Sequence, residues 1–344
     1  MTLILIHSFD YVFRFGRILP YSMAKMLLST EEGLVFATIL SFIFIFGFLG
    51  NILVCLAIYF DKDLRQHQSN FFLFNLAVTD LLTGIFVIPF CIAALIHGDW
   101  MFGDIWCQTT AFVYYSLAIV GVETLAFISW DRYYAIFRPL KYRSNVTPKR
   151  VCTAIMLCWV WAMVFTIPCA VLGWFRYGEY ESMCTYNFSG TGDKWKTRVI
   201  TYSIFTIVLC VLLPSTVIIY CYLRIIAVVR QQGRRINTMS SREAYSSNSA
   251  GRHAWRNYRL KGFRTITLVI ILYILSWTPF SVARLLKTVT WNHEIVPPAA
   301  DTFASVMSLF STATNPIAYS LFRRDFRRAF KRLFRRAFCK KQEN

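Results

Sequence analysis

Apolar residues along this chain fall in long blocks, not in the alternating or every-third-and-fourth patterns of a soluble fold. A helix that crosses a bilayer needs about 20 mostly apolar residues. Seven stretches meet that length: 33–59, 70–96, 105–128, 151–174, 199–228, 263–286 and 299–321. The pattern predicts an all-α membrane protein, a seven-transmembrane helix bundle over residues 33–321 behind an N-terminal segment of residues 1–32. An odd number of crossings puts the two ends of the bundle on opposite sides of the membrane. Beyond the last block, Phe322, Phe326, Phe330, Phe334 and Phe338 recur every fourth residue among arginines and lysines. That spacing predicts an amphipathic eighth helix within 322–344, lying in the membrane interface and ending in a short tail.

Composition agrees, since 56% hydrophobic content is too high for an ordinary soluble domain. Charge adds orientation, because short cytoplasmic loops carry the excess of Lys and Arg. One side holds Arg138, Lys141, Arg143, Lys149 and Arg150, the basic run 224–264 and the basic tail 323–341. The other holds few basic residues, among them Arg176, Lys194, Lys196 and Arg198. The N-terminus is therefore expected outside, in a multi-pass protein of the plasma membrane. The net charge of +19 reads as topology plus acidic lipid or an acidic protein partner, and not as a nucleic-acid surface. Residues 1–8 are apolar but lack a basic n-region, so no signal peptide is read there.

The ten cysteines show no metal-ligand spacing, and most lie in apolar runs. Cys107, just before the third span, and Cys184, in the loop after the fourth, both fall outside, where an oxidising compartment permits a bridge. No nucleophile, metal or phosphate motif appears, so neither an enzyme nor a cofactor is expected. A transporter would favour internal repeats, and none is visible.

Ionisable and amide side chains inside a span are costly and mark function or a packed interior. Asn51, Asp80 and Asn315 are of this kind, and Pro214, Pro279 and Pro316 interrupt helices beside them. Asp131 and Arg132 close the run 111–130, whose only ionisable acid or base is Glu123. Cys107 and Arg132 are 25 residues apart, about 38 Å of helix, which sets them at opposite faces of the membrane. Glu123 is turned away from Tyr114 and Ala118 on a 100° helical step and reads as a structural group against the fourth or fifth helix.

Gly50-Asn51, "LAVTD" ending at Asp80, Cys107, "DRYYAIFRPL" from Asp131, Trp159, Pro214 with Tyr222, "SWTPF" around Trp277, and "NPIAY" at 315–319 occur in order, with motifs in every span. Together they resemble the signature set of rhodopsin-like (class A) G protein-coupled receptors over residues 33–338. The resemblance implies a receptor that binds an extracellular ligand and activates a heterotrimeric G protein, with arrestin and membrane lipids as further partners. It implies that Asp131 holds Arg132 at rest, and that Arg132, Tyr133, Tyr222, Tyr319 and Leu140 serve coupling. Many relatives add an acidic clasp on the sixth helix, but that position is Arg259 here, which implies a looser resting state. Asn51, Asp80, Trp277 and Asn315 resemble the central polar network that often binds sodium at Asp80. The third-helix hydroxyl usual in that network is replaced by Gly121, while Ser311 and Thr312 remain on the seventh helix.

By family position the ligand site is lined by Phe90, Tyr114, Tyr115, Ala118, Thr206, Cys210, Trp277, Phe280, Ser281, Arg284 and Ser305, roofed by Tyr186. A retinal chromophore is not expected, because the lysine position of opsins is Leu309. A monoamine held by the usual third-helix aspartate is not expected either, because that position is Tyr114. The run 168–184 is similar to the amine, melatonin and opsin branch. Arg284 and Lys287 share one face of the sixth helix, and read either as partners of Glu294 or Asp301 or as captors of an acidic ligand. Asn187 heads an outer N-glycosylation sequon, whereas the sequon at Asn145 falls inside. Cys339 is placed for palmitoylation. The inner segment 231–257 is polar and Ser-rich and is expected to be disordered. Residues 322–344 contain no Ser or Thr, so arrestin-recruiting phosphorylation is expected on Thr238, Ser240, Ser241, Ser246, Ser247 and Ser249.

Overall fold

The computed structural model describes residues 31–186, 192–240 and 249–339. The N-terminal segment to residue 30, Asn187, and Ser241, Ser246 and Ser247 lie outside them. Seven helical spans follow in order: Gly33–Phe60; Ser69–Phe86 resumed as Ile88–His97; Gly103–Phe137; Pro148–Val171; Asp193–Ile207 resumed as Leu213–Ser240; Ser249–Thr290; and Pro298–Phe322. An eighth helix, Arg324–Cys339, follows an extended Arg323.

Local chemistry sets these boundaries. Val87, at φ −124° and ψ −58°, breaks the second span, and Pro89 has no N–H to continue it. Asp61 caps the short helix Lys62–Arg65 by accepting from the backbone N–H groups of Asp63 and Leu64. Thr147 caps the fourth span, with Pro148 at its first position. In the fifth span one π-helical turn, Val208–Leu212, precedes Pro214. Within the inner segment 231–257 the fifth helix is described to Ser240 and the sixth from Ser249, and residues 241–248 lie outside the described residues. Polar residues with fair helix propensity prolong helices whose apolar parts are already ordered.

Six of the described helical spans are long and apolar enough to cross a membrane. The seventh, Pro298–Phe322, is not among them because it carries many polar residues, and these are turned inward. Ser305, Ser308, Ser311, Thr312, Thr314 and Asn315 are all buried. Conversely, Phe42, Phe46, Leu49, Leu157, Val164 and Leu223 are exposed on the outside of the bundle, as lipid-facing residues must be. Lipid removes most of the hydrophobic drive between helices, so packing and interhelical hydrogen bonds hold them together. Asn51 Nδ2 donates to Thr312 O at 2.8 Å, Asn75 Nδ2 to Thr124 Oγ1 at 2.9 Å, and Trp159 Nε1 to Asn75 Oδ1 at 3.0 Å. Such bonds contribute about 0.6 kcal/mol each. Close approach completes the packing: a β-carbon at Gly50 would stand 2.7 Å from the Pro316 ring.

A two-stranded antiparallel hairpin, Phe175–Gly178 with Met183–Tyr186, covers the Cys107 end of the bundle. Cys107 and Cys184 are joined by a disulfide with their Cα atoms 5.4 Å apart. Gln108 adds a bond to the carbonyl of Phe175. The hairpin is thus stapled to the first turns of the third span.

Candidate functional site

Three groups of candidate functional side chains are stacked along the bundle axis. At the Cys107 end, aromatic rings meet under the hairpin. Tyr114 stacks on Trp277 with ring centroids 5.8 Å apart and meets Phe280 edge-on. Tyr115 touches Tyr186 and Phe175 at centroid distances of 4.8 and 5.5 Å. Tyr114 Oη lies 2.6 Å from Ser308 Oγ, and Tyr115 Oη 2.7 Å from Thr185 Oγ1. The structure therefore brings together Tyr114, Tyr115, Tyr186, Trp277 and Phe280. Ser305 is buried nearby and donates to Asp301 O. Thr206 and Ser281 are half-buried, and the Thr206 hydroxyl is enclosed with no hydrogen-bond partner among the described residues.

Above the rings lies a buried ionic cluster that the sequence reading captured only in part. Arg284 Nη1 donates to Glu181 Oε1 at 3.0 Å, Lys287 Nζ donates to the same oxygen at 2.7 Å, and Lys287 also pairs with Asp301. Asp301 is thus the partner of Lys287, whereas Glu294 is exposed and pairs with neither cation among the described salt bridges. Glu181 was missed. Burial opposes its charge, but Lys287 and Arg284 together hold its carboxyl below the ordinary carboxylate value. The usable signal was its place three residues before Cys184, which anchors the loop over the outer end of the sixth helix.

Midway down, Asn315 Nδ2 donates to Asp80 Oδ2 at 2.8 Å. A cavity of about 30 Å³ adjoins this pair, lined by Asp80, Tyr114, Ala118, Gly121, Trp277 and Ser311 among others. That is room for one water molecule or a small ion. Ala118, expected at the ligand, faces this cavity. Ser311 and Thr312 donate to backbone carbonyls and keep their oxygen lone pairs. Glu123 stands beside Cys158 of the fourth span and Cys210 of the fifth, and none of the described hydrogen bonds involves it.

At the opposite end, Arg132 Nη2 is 3.3 Å from Asp131 Oδ2. The carboxylate has two further partners that sequence reasoning missed. Ser69 Oγ donates to Oδ2 at 2.8 Å and Tyr142 Oη to Oδ1 at 2.8 Å. Burial first, then Asp131, pushes the Tyr142 phenol up to about 12, so it remains a donor at any physiological pH. Tyr142 lies in a short helix, Pro139–Asn145, in which Leu140 is 90% exposed. Tyr133 packs on Phe137 at 4.4 Å. Tyr222 is buried within electrostatic reach of Arg132. Tyr319 is buried with its hydroxyl unpaired among the described residues, its ring 5.4 Å from Phe326. Arg259 lies within the sixth helix, and its side chain is outside the described ones.

The eighth helix departs in part from an interfacial stripe. Phe326 and Phe330 are buried against Tyr319 and the first span, while Phe334 is half exposed. Arg332 pairs with Asp61 at 2.5 Å and Asp63 at 3.1 Å, which fixes the helix to the loop after the first span. Cys339 ends this helix.

Residues 50–319 match the family model described as "7 transmembrane receptor (rhodopsin family)". Human "G-protein coupled receptor 161" is 26% identical over 318 residues, covering 86% of this chain and 58% of the relative. The dog "Histamine H2 receptor" is 29% identical, covering 84% of this chain and 76% of the relative. The chain spans about half the length of the first of these relatives and of its mouse and cattle counterparts. Squid rhodopsin shares the fold, with a TM-score of 0.75 at 23% identity over 90% of this chain and 88% of the other. The chain belongs to the rhodopsin family of seven-transmembrane receptors.

Proposed function

We propose that this protein resides in the plasma membrane with its N-terminus outside, binds an extracellular ligand beneath the Phe175–Tyr186 hairpin, and promotes nucleotide exchange on a heterotrimeric G protein. The observation that carries the proposal is the joint arrangement at the basic end. Arg132 is paired with Asp131, and Leu140 projects from the neighbouring short helix with 90% of its surface exposed. A guanidinium released from its carboxylate can donate to backbone carbonyls of an inserted helix. An isolated exposed leucine among cations offers an apolar anchor for the same partner. Tyr222 and Tyr319 are the groups that receive Arg132 once the helices part.

Two relatives narrow the ligand by contrast. One is a receptor named for histamine, an amine, and the other is a rhodopsin. This chain has Tyr114 and Leu309 where the amine and chromophore readings require an aspartate and a lysine. The ligand is therefore neither a typical monoamine nor retinal. The central cavity offers a carboxylate, hydroxyl and amide oxygens to a hard monovalent cation at Asp80, with Gly121 withholding one donor. Arrestin contacts the phosphorylated segment around Thr238–Ser249, Asn187 accepts a glycan, and Cys339 accepts a palmitoyl chain that joins the basic helix to anionic lipid.

The test is nucleotide exchange on G protein α subunits by the receptor in lipid nanodiscs. Arg132→Ala should abolish exchange and Leu140→Ala reduce it at least fivefold, both at normal surface expression. Full exchange by both variants refutes the coupling roles.

A further inference from the structure

The turn joining the hairpin strands, residues 179–182, points Glu181 into the bundle. Its side chain is 5% exposed, and Arg284 Nη1 and Lys287 Nζ both donate to its Oε1. With Asp301 on Lys287, two cations and two carboxylates are shut away from water. The backbone is shaped to this. Ser182 takes φ 51°, a region rarely adopted by residues other than glycine. A β-carbon at Gly178 would overlap the Glu181 carboxylate. Just beneath, the Arg284 guanidinium lies 5.9 Å from the centre of the Tyr186 ring, which begins the aromatic block leading through Tyr115 to Tyr114 and Trp277.

Lifting the hairpin would remove one of the two carboxylates of this cluster, leaving two cations and the Asp301 carboxylate. A buried charge in excess is strongly unfavourable. An anion taking the same position offsets the loss of that carboxylate and lets the cations stay buried. A carboxylate suits it best, because the guanidinium fork matches that planar group and the space already holds one. The rings of Tyr186 and Tyr115 below suit a flat, apolar body. We propose that the ligand is an organic carboxylate with an aromatic or apolar body, whose carboxylate replaces that of Glu181 on Arg284 and Lys287. Glu181 is then the receptor's own occupant of the anion position. This rests on the outer pocket being the ligand site, as proposed above.

The experiment measures equilibrium binding of 3-phenylpropanoate and of its neutral amide to the full chain in nanodiscs. Glu181→Gln should tighten binding of the carboxylate at least tenfold and leave the amide unchanged. Adding Arg284→Gln should erase the gain. Gly178→Ala displaces the internal carboxylate while keeping every charge, and should give a gain of at least threefold; it decides the matter if Glu181→Gln does not reach the membrane. No gain in carboxylate affinity, including none detectable in either protein, overturns the proposal, as does an equal gain for the amide. Nucleotide exchange is followed on the same preparations. Its loss with the binding gain intact would fault the coupling reading and support this one.

Discussion

The Tyr142 hydroxyl donates to Asp131 Oδ1 at 2.8 Å, so the short helix Pro139–Asn145 is tethered to the carboxylate that also holds Arg132. One acidic group thereby sets both the resting place of the guanidinium and the position of Leu140. Tyr142→Phe removes a hydrogen bond to a charged group, worth about 1.5 kcal/mol. It leaves Asp131 freer to hold Arg132 and Leu140 less well placed, and both effects oppose coupling. Ligand-independent exchange should fall roughly tenfold at matched expression. An unchanged or raised rate in a nucleotide-exchange assay would show that the tether has no part in coupling.

The eighth helix separates two kinds of phenylalanine that look alike in sequence. Phe326 is fully buried against Tyr319 and carries the Arg323 guanidinium 4.6 Å from its ring centre, whereas Phe334 is half exposed. Phe326→Ala should cost about 3–5 kcal/mol by leaving a cavity at the foot of the seventh span. Phe334→Ala should change thermal stability little and instead weaken binding of a 322–344 peptide to anionic vesicles. Equal thermal shifts for the two variants in detergent would contradict this division.

Much of this was legible in the sequence because lipid imposes a simple rule. Spans must be long and apolar, and a polar side chain inside one must face a partner, as Asn51 does on Thr312 and Asn315 on Asp80. The every-fourth spacing of Phe322–Phe338 likewise gave the eighth helix, but spacing alone cannot say whether a ring meets lipid or protein. Ser69 and Tyr142 were not legible, since a hydroxyl in an ordinary loop or helix start has no distinguishing pattern. Glu181 was hidden for a related reason. Its neighbours Arg284 and Lys287 lie more than a hundred residues away, and only the hairpin and its disulfide bring them together.

The Glu181 carboxyl also fixes how the hairpin responds to pH. Burial raises its titration point, and Lys287 and Arg284 lower it further than burial raises it. A carboxyl lowered in the folded state contributes stability that is fully present above its unfolded value and is lost as pH falls through the lower folded one. Acidification from pH 7.5 to 5.5 stays above both. Amide hydrogen exchange of Met183–Tyr186, corrected for its intrinsic pH dependence, should therefore show no loss of protection over that range. Protection lost by pH 5.5 would mean that burial outweighs the two cations.

Gly121 offers the sharpest test of the central cavity. It lines the space beside Asp80, and a β-carbon added to it meets nothing within 4 Å. The β-carbon of a serine there fits without moving its neighbours, and the adjoining cavity offers room for its hydroxyl. Hydroxyls on this helix bond back to a carbonyl of the preceding turn, as Thr124 does to Val120 O at 2.6 Å, which leaves the oxygen lone pairs turned outward for a cation. Gly121→Ser thus adds one hard oxygen to those of Asp80, Ser311 and Thr312. One added ligand worth about 1.4 kcal/mol raises affinity roughly tenfold. Sodium should then suppress basal nucleotide exchange at about a tenth of the concentration needed for the unaltered chain, with potassium as the ionic-strength control. Asp80→Asn in either background should remove the sodium dependence, since it removes the charge that holds the ion. If Gly121→Ser leaves the sodium response unchanged, the cavity holds water and not a cation.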